Sequence, residues 1–342
     1  MRSTLTFAIS FLITCLAVPV LRSLAFRFNI LDLPGGRKIH QAATPLLGGV
    51  AIYAGIIGAS MVNARDIFAF FPLLMGATLI FILGLVNDLV GLSARTRILW
   101  QVLISLAVIL MGLRVSFVPN GYLKDISEVL ITVVWFVGVT NAFNYLDGLD
   151  GLAAGSATIN VLCFSVILYM TGQYPLSLLA ISLIGSCLAF LPYNFKKKIF
   201  LGEAGSTFLG FMLAGIGIVG NWASDNVVKL SIPILILGVP IFDMIFTTII
   251  RIKEGKVKSF IEWLKYSGTD HFHHSLIDLG FRPAGSVIFI YFVTFSLGIS
   301  AIMVSNDAAI EAFLTLSQAA IIFGIIAMLI VVGKRHRSGW VR

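Results

Sequence analysis

Long apolar runs, interrupted at short intervals by polar and basic clusters, dominate the chain. Eleven of them lie at about 4–24, 46–62, 68–86, 98–113, 126–143, 152–170, 175–190, 205–222, 230–250, 285–304 and 309–332. Several approach or exceed the ~20 residues a helix needs to cross hydrocarbon. None alternates as a barrel strand would, and a chain in lipid must satisfy its backbone internally, which leaves helices. The pattern predicts an all-α, polytopic integral membrane protein of about eleven transmembrane helices, a single domain over 1–342 with one long polar loop at 251–283. Several runs are short for a perpendicular crossing, which local bilayer thinning would accommodate. The first run has only Arg2 before it and no small-residue cleavage pattern, so it reads as a retained span rather than a signal peptide.

Composition agrees. Mean hydropathy is +0.99; 58% of residues are hydrophobic and 12% charged, too little polar surface for a soluble chain of 342 residues and too apolar for disorder. Cys15, Cys163 and Cys187 sit inside apolar runs without metal-ligand spacing and read as small buried hydrophobes. The formal charge of +8 could attract nucleic acid. Its distribution points elsewhere. Of the 24 lysines and arginines, nineteen fall in loops on one side of the eleven-span arrangement. Only Arg2, Arg65, Arg114, Lys124 and Lys229 fall on the other. The positive-inside rule then puts the N-terminus outside and the C-terminus in the cytoplasm, and no nucleic-acid partner is expected.

The loops on the basic side carry the chemistry. The first holds Asp32, Pro34, Arg37, Lys38 and His40, then Gly48 and Gly49; it is a headgroup anchor, or Lys38 and His40 meet a diphosphate while the glycines let helices pack closely. The second ends a strongly apolar run with Asn87 and Asp88, followed by Arg95, Arg97 and Gln101; an ionisable group at membrane depth is a functional candidate. The third is the most specific: Asn141, Asn144, Asp147, Gly148, Asp150 and Gly151. Asn144, Asp147 and Asp150 share a face if helical, and two Asp-Gly pairs suit successive turns equally well. Paired carboxylates with amide oxygens suit Mg²⁺, which binds few protein oxygens plus substrate phosphates.

The fourth loop runs from Asn194 through Lys196, Lys197 and Lys198 to Glu203 and Ser206. A glycine-rich helix entry there offers N–H groups to phosphate, and Glu203 could hold a metal; the lysines serve equally as an anchor. The fifth, in 251–283, contains Asp270, His271, His273 and His274. A zinc site is the obvious alternative, but no cysteine accompanies them and adjacent histidines do not match the i, i+4 pattern, so imidazoles contacting a diphosphate are preferred. Upstream, 260–266 has the pattern of an interfacial amphipathic helix.

In order and together, these strings resemble the polyprenyl-phosphate N-acetylhexosamine-1-phosphate transferases (glycosyltransferase family 4). The likeness runs from Asp32 to Gly280 and includes Pro240 to Asp243. The histidine string is more similar to the UDP-N-acetylglucosamine:undecaprenyl-phosphate branch than to the muramoyl-pentapeptide branch. The resemblance implies that a polyprenyl phosphate attacks the sugar-bearing phosphorus of a UDP-sugar. UMP is released, and the polyprenyl-diphospho-sugar starts peptidoglycan, teichoic acid or O-antigen synthesis at the cytoplasmic face of a bacterial inner membrane. It implies Mg²⁺ (Mn²⁺ as substitute) held by Glu203 and Asp147. Asp88, Asp147, Asp150, His273 and His274 would be catalytic, and Lys38, His40, Asn87, Asn144, Asn194 and His271 would bind substrate. Its partners would be the UDP-sugar, the polyprenyl phosphate, membrane lipid and, as a candidate assembly, a second copy.

Three features depart from the family pattern. Asn87-Asp88 replaces paired aspartates, Glu203 replaces an aspartate, and lysines replace a proline-alanine in a shortened fourth loop. Asparagine cannot act as a base, although a lipid phosphate is largely ionised near neutral pH. Glutamate reaches further than aspartate, and Mg²⁺ demands regular geometry. A catalytically weak paralogue acting as a lipid- or nucleotide-binding scaffold is therefore the main alternative. A transporter ranks lower, because the carboxylates cluster at one boundary rather than at the midplane.

Overall fold

A computed structural model describes residues 1–32, 43–118, 120–259, 262–263, 266, 268, 270–305 and 308–339, with side chains through Lys334. The described chain is nearly all helix and divides into two compact units, Met1–Asn221 and Trp222–Arg342. Each of the eleven apolar runs folds as helix. Among the described residues, eight helices are long and apolar enough to cross a membrane, or nine if a bent pair is one span. This is a polytopic membrane protein.

The first unit contains α1 (Arg2–Arg27), α2 (Gly48–Val62), a short α3 (Ala64–Ile67) leading through one 3₁₀ turn into α4 (Phe71–Val90), and α5 (Ala94–Leu110). It continues with α6 (Lys124–Leu146), α7 (Leu152–Met170), α8 (Tyr174–Phe195) and α9 (Gly202–Val219). Helix α9 is the centre: it packs against α2, α4, α6 and α7, and nearly all of its residues from Gly202 to Gly217 are buried. Small residues make that possible. A Cβ on Gly49 of α2 would lie 2.5 Å from the Cα of Gly205, and one on Gly84 of α4 would lie 2.6 Å from the Cα of Ala204. Both obstacles are backbone, so neither can move aside as a side chain would. Close backbone approach gives packing in lipid, where apolar side chains gain nothing from leaving a solvent as oily as themselves.

The all-α expectation needs one amendment. β1 (Leu31–Asp32) and β2 (Thr44–Pro45) form a two-stranded antiparallel pair, Leu31 opposite Pro45 and Asp32 opposite Thr44. The strand runs on into the start of α2, whose Gly48 and Gly49 N–H groups donate to the carbonyls of Phe200 (3.0 Å) and Leu201 (2.8 Å). The loop before α9 thus satisfies two of the orphan donors of α2.

The second unit contains α10 (Asn226–Ile236), α11 (Gly238–Lys253), α12 (Phe272–Asp278), α13 (Pro283–Val304) and α14 (Ala309–Gly339). The run expected as one span at 230–250 is two helices bent by 76°. Pro240 explains the break: its ring would clash with the carbonyl of Ile236, the last residue of α10, and it has no N–H to give. Two other expected spans, α2 with 15 residues and α5 with 17, are shorter than a perpendicular crossing requires.

Candidate functional site: a carboxylate corner and a histidine turn

In the first unit the second, third and fourth signatures converge where α4, α6 and α9 end or begin. Asp88, in the last turn of α4, is a cap for another helix. Its Oδ1 accepts from the Glu203 N–H and its Oδ2 from the Ala204 N–H, both at 2.9 Å. A carboxylate at a helix N-terminus meets two orphan donors and the positive end of the dipole. Asp88 was expected among the catalytic residues; the structure uses both its oxygens to join α4 to α9.

Its neighbour Asn87 is equally committed. Asn87 Oδ1 accepts from the Leu92 N–H at 2.8 Å, and Nδ2 donates to Glu203 Oε2 at 2.8 Å. Arg97 of α5 forms an ion pair with the same Glu203 oxygen. Glu203 Oε1 accepts from no described residue. Ser93 caps α5 by accepting from the Thr96 N–H, which starts the helix where its second turn brings Arg97 to Glu203.

The third signature is turns rather than a shared helical face. Helix α6 ends at Leu146, Asp147 is its C-cap, and α7 starts at Leu152. Asn144 accepts a 2.9 Å hydrogen bond from Ser206 of α9. Asp150 pairs with Lys197 at 3.4 Å. Asn194 spends both ends of its amide on backbone: Oδ1 accepts from Gly151 N–H (2.7 Å) and Nδ2 donates to the Ile199 carbonyl (3.0 Å). It pins the two loops together, a different employment from the substrate contact expected.

Asp147 differs from all of these. Among the described residues nothing donates to its carboxylate. It sits at the negative end of α6, and its pKa is pushed up to about 7, by burial first and then by the charges of Asp88 and Asp150. A half-buried carboxylate repelled by its neighbours is relieved by a proton or by a cation. Asp147 and the unshared oxygen of Glu203 are hard oxygen donors that suit Mg²⁺, whose remaining ligands are commonly water and phosphate. Among the described residues no three His, Cys, Asp or Glu side chains already converge on one point. Lys38 and His40 lie outside the described residues.

In the second unit the histidine string opens α12. Asp243 of α11 is 1% exposed; its Oδ1 accepts from Thr247 Oγ1 (3.0 Å) and from the Phe272 N–H (2.7 Å), and its Oδ2 lies 3.3 Å from His271 Nδ1. Arg251, 2% exposed, donates from Nε (3.0 Å) and Nη2 (2.6 Å) to the two oxygens of Asp270. Its guanidinium lies 4.7 Å from the centre of the Tyr266 ring, and Nη2 reaches His271 Nε2 at 3.3 Å. A guanidinium only donates, so His271 accepts at Nε2 and carries its ring hydrogen on Nδ1, toward Asp243.

The Asp270 carboxyl is held below its usual range: burial raises it, and the hydrogen bonds and charge of Arg251 outweigh that. His273 is buried with neither ring nitrogen bonded to a described residue. Burial pushes it down to about 3 against the pull of Asp243, with His274 and His271 lowering it further. His274 is also lowered, by burial first. His273 is therefore uncharged near neutrality, so it offers a lone pair or an N–H rather than a positive charge. The expected helix at 260–266 falls partly outside the described residues; Trp263, within it, donates to Thr248 at 2.9 Å.

Arg97, Ser206, Asp243 and Arg251 had been assigned no role from sequence. The signal for Arg251 and Asp243 was an acid and a base eight residues apart on an apolar helix; that for Arg97 was a cation one turn past a serine cap.

The chain is a polytopic helical membrane protein, and comparison with known proteins narrows its class. The glycosyl transferase family 4 model matches residues 70–221. A Bacillus subtilis (strain 168) protein named "Probable undecaprenyl-phosphate N-acetylglucosaminyl 1-phosphate transferase" is 34% identical over 314 residues, covering 89% of this chain and 86% of the relative. The decaprenyl-phosphate N-acetylglucosaminephosphotransferase of Mycobacterium tuberculosis (strain H37Rv) is 30% identical over 320 residues, 82% of this chain and 77% of the relative. The undecaprenyl-phosphate alpha-N-acetylglucosaminyl 1-phosphate transferase of Escherichia coli (strain K12) is 26% identical over 295 residues, 82% and 78%. The chain belongs to glycosyl transferase family 4, among the polyprenyl-phosphate N-acetylhexosamine-1-phosphate transferases.

Proposed function

We propose that this protein transfers N-acetylhexosamine 1-phosphate from a UDP-sugar to polyprenyl phosphate. An oxygen of the lipid phosphate forms a bond to the sugar-bearing phosphorus, the bond from that phosphorus to the bridging oxygen breaks, and UMP leaves with the electron pair. The polyprenyl-diphospho-sugar stays in the lipid and starts a cell-envelope polysaccharide. The observation that carries this reading is Asp147, a half-buried carboxylate to which no described residue donates, raised to about 7 at the helix-end corner of a chain of this family.

Phosphoryl transfer needs positioning and charge neutralisation more than covalent help, and this chain supplies both. Asp147 and Glu203 would hold a Mg²⁺ or Mn²⁺, which neutralises diphosphate oxygens. Asp88 fixes the start of α9 and so the place of Glu203. Asn144 and Ser206 tie α6 to the same turn. Lys38 and His40, by their charge and ring donors, suit phosphate. In the second unit, Asp243 and Arg251 fix His271, and His273 is offered uncharged for hydrogen bonding. No general base is needed, because the lipid phosphate arrives ionised.

The reaction joins a soluble nucleotide to a lipid, which demands a site at a membrane boundary. The distribution of lysine and arginine supports a boundary at the cytoplasmic face, with the N-terminus outside, and the bacterial relatives suggest an inner membrane. Counting α2, α5 and the bent α10–α11 pair as crossings gives eleven. The test is UMP release by the purified full chain with Mg²⁺ and a panel of UDP-N-acetylhexosamines. Release only when polyprenyl phosphate is present supports the reading; no release from any donor refutes it.

A further inference from the structure

Asn87 and Glu203 stand apart from the rest of the corner because both differ from the family pattern, and in sequence they look like two separate losses of function. They touch. Asn87 Nδ2 donates to Glu203 Oε2 at 2.8 Å, across 116 residues of chain. The orientation of the amide is set independently, since Asn87 Oδ1 is taken by the Leu92 N–H at 2.8 Å. Only the NH₂ group is left to face Glu203. An aspartate at 87 could still accept from Leu92, but its second oxygen would then confront a glutamate oxygen at hydrogen-bond distance with no proton between them. Among the described residues, the cation that pairs with Glu203 is Arg97, on the same Oε2. Asp88 adds a further carboxylate next in sequence, already bound to the Glu203 and Ala204 N–H groups.

The pairing also answers the problem of reach. Glutamate is one methylene longer than aspartate and has an additional rotatable bond to immobilise. Two donors on Oε2, one from α4 and one from α5, fix the carboxylate while Oε1 accepts from no described residue. A ligating carboxylate oriented by hydrogen bonds through its other oxygen is how metal and phosphate sites gain geometric definition.

We infer that Asn87 and Arg97 are positioning residues for Glu203: they hold one carboxylate oxygen and leave the other for the cation that accompanies the diphosphate, so that Asn87 and Glu203 form one compensated pair. This rests on the transferase reading. It predicts the reverse of what family resemblance suggests, since restoring aspartate at 87 harms the protein.

The experiment compares full-length wild type, Asn87→Asp, Glu203→Gln and the exchange Asn87→Asp/Glu203→Gln, reading thermal-unfolding midpoint and UMP release on each. Asn87→Asp lowers the midpoint and cuts turnover roughly tenfold or more, as expected for replacing a charge-assisted hydrogen bond by like-charge contact. The exchange keeps one acid, one amide and Arg97 in the corner at unchanged net charge, so the midpoint recovers. Turnover stays low, because the carboxylate has moved from 203 to 87. A purely structural role would restore both. The proposal is overturned if Asn87→Asp raises or preserves turnover, if the exchange fails to recover the midpoint, or if it recovers turnover as well. Wild type that releases no UMP would refute the transferase reading instead, while the midpoints still report on the pair.

Discussion

Replacing Asp147 by asparagine should make the ligand-free protein more stable and inactive. The substitution preserves shape and removes one charge. In the folded protein the carboxyl is raised from 3.8 to about 7 by burial and by Asp88 and Asp150. Between those values the folded chain keeps a proton that an unfolded chain has released. The folded state therefore binds more protons there, and stability falls as pH rises through the window. Below about pH 4 both states are protonated and nothing is lost; above about pH 7 the loss is complete. At 1.4 kcal/mol per tenfold in affinity, three decades amount to roughly 4 kcal/mol, an upper bound that a bound cation would offset. Asparagine never ionises and escapes all of it. Thermal-unfolding midpoints in detergent with chelator, followed by tryptophan fluorescence from pH 4 to 8, should show wild type declining with pH and Asp147→Asn holding level, while its UMP release disappears. A variant whose midpoint declines in parallel with wild type, or one that keeps wild-type turnover, would refute the reasoning.

Asp88→Asn leaves one acceptor facing two backbone donors and turns an NH₂ toward one of them; the midpoint should fall by the equivalent of about 1–3 kcal/mol with or without substrate. An unchanged midpoint would remove the capping role. Arg251→Lys keeps the charge but cannot span both oxygens of Asp270 and stack on Tyr266, so stability should drop by about 1–3 kcal/mol, measured by the same midpoint. His273 is lowered to about 3, so its contribution is present above the ordinary histidine range and is lost as pH falls toward 3. His273→Gln should flatten that acid sensitivity in a pH series of unfolding midpoints, and an unaltered acid limb would count against the buried, uncharged ring.

The helices were legible because hydrocarbon imposes a long apolar run on every crossing, and all eleven runs are helical. The bend before α11 was not anticipated, although Pro233, Gly238 and Pro240 were its signals; the run is apolar throughout, and hydropathy is blind to direction. The identity of the site residues was legible from local strings, but their employment was not. Asp88 looked like a reacting group because a carboxylate at membrane depth is costly without a purpose, yet capping α9 is a purpose. Asn194 looked free to meet substrate and instead pins two loops. Asn87 and Glu203 read as two losses because their contact spans 116 residues, and Arg97 reaches Glu203 across 106. Pairings of that range leave no periodic trace in one sequence.

The central claim, transfer of a sugar together with its phosphate, is tested most directly by following the phosphorus. Purified protein is given polyprenyl phosphate, Mg²⁺ and UDP-N-acetylglucosamine labelled at the phosphorus that carries the sugar, and the label is tracked between lipid and aqueous phases. The account predicts label in the lipid product and unlabelled UMP in water. Labelled UDP in water with sugar in the lipid would show transfer of the sugar alone and contradict it.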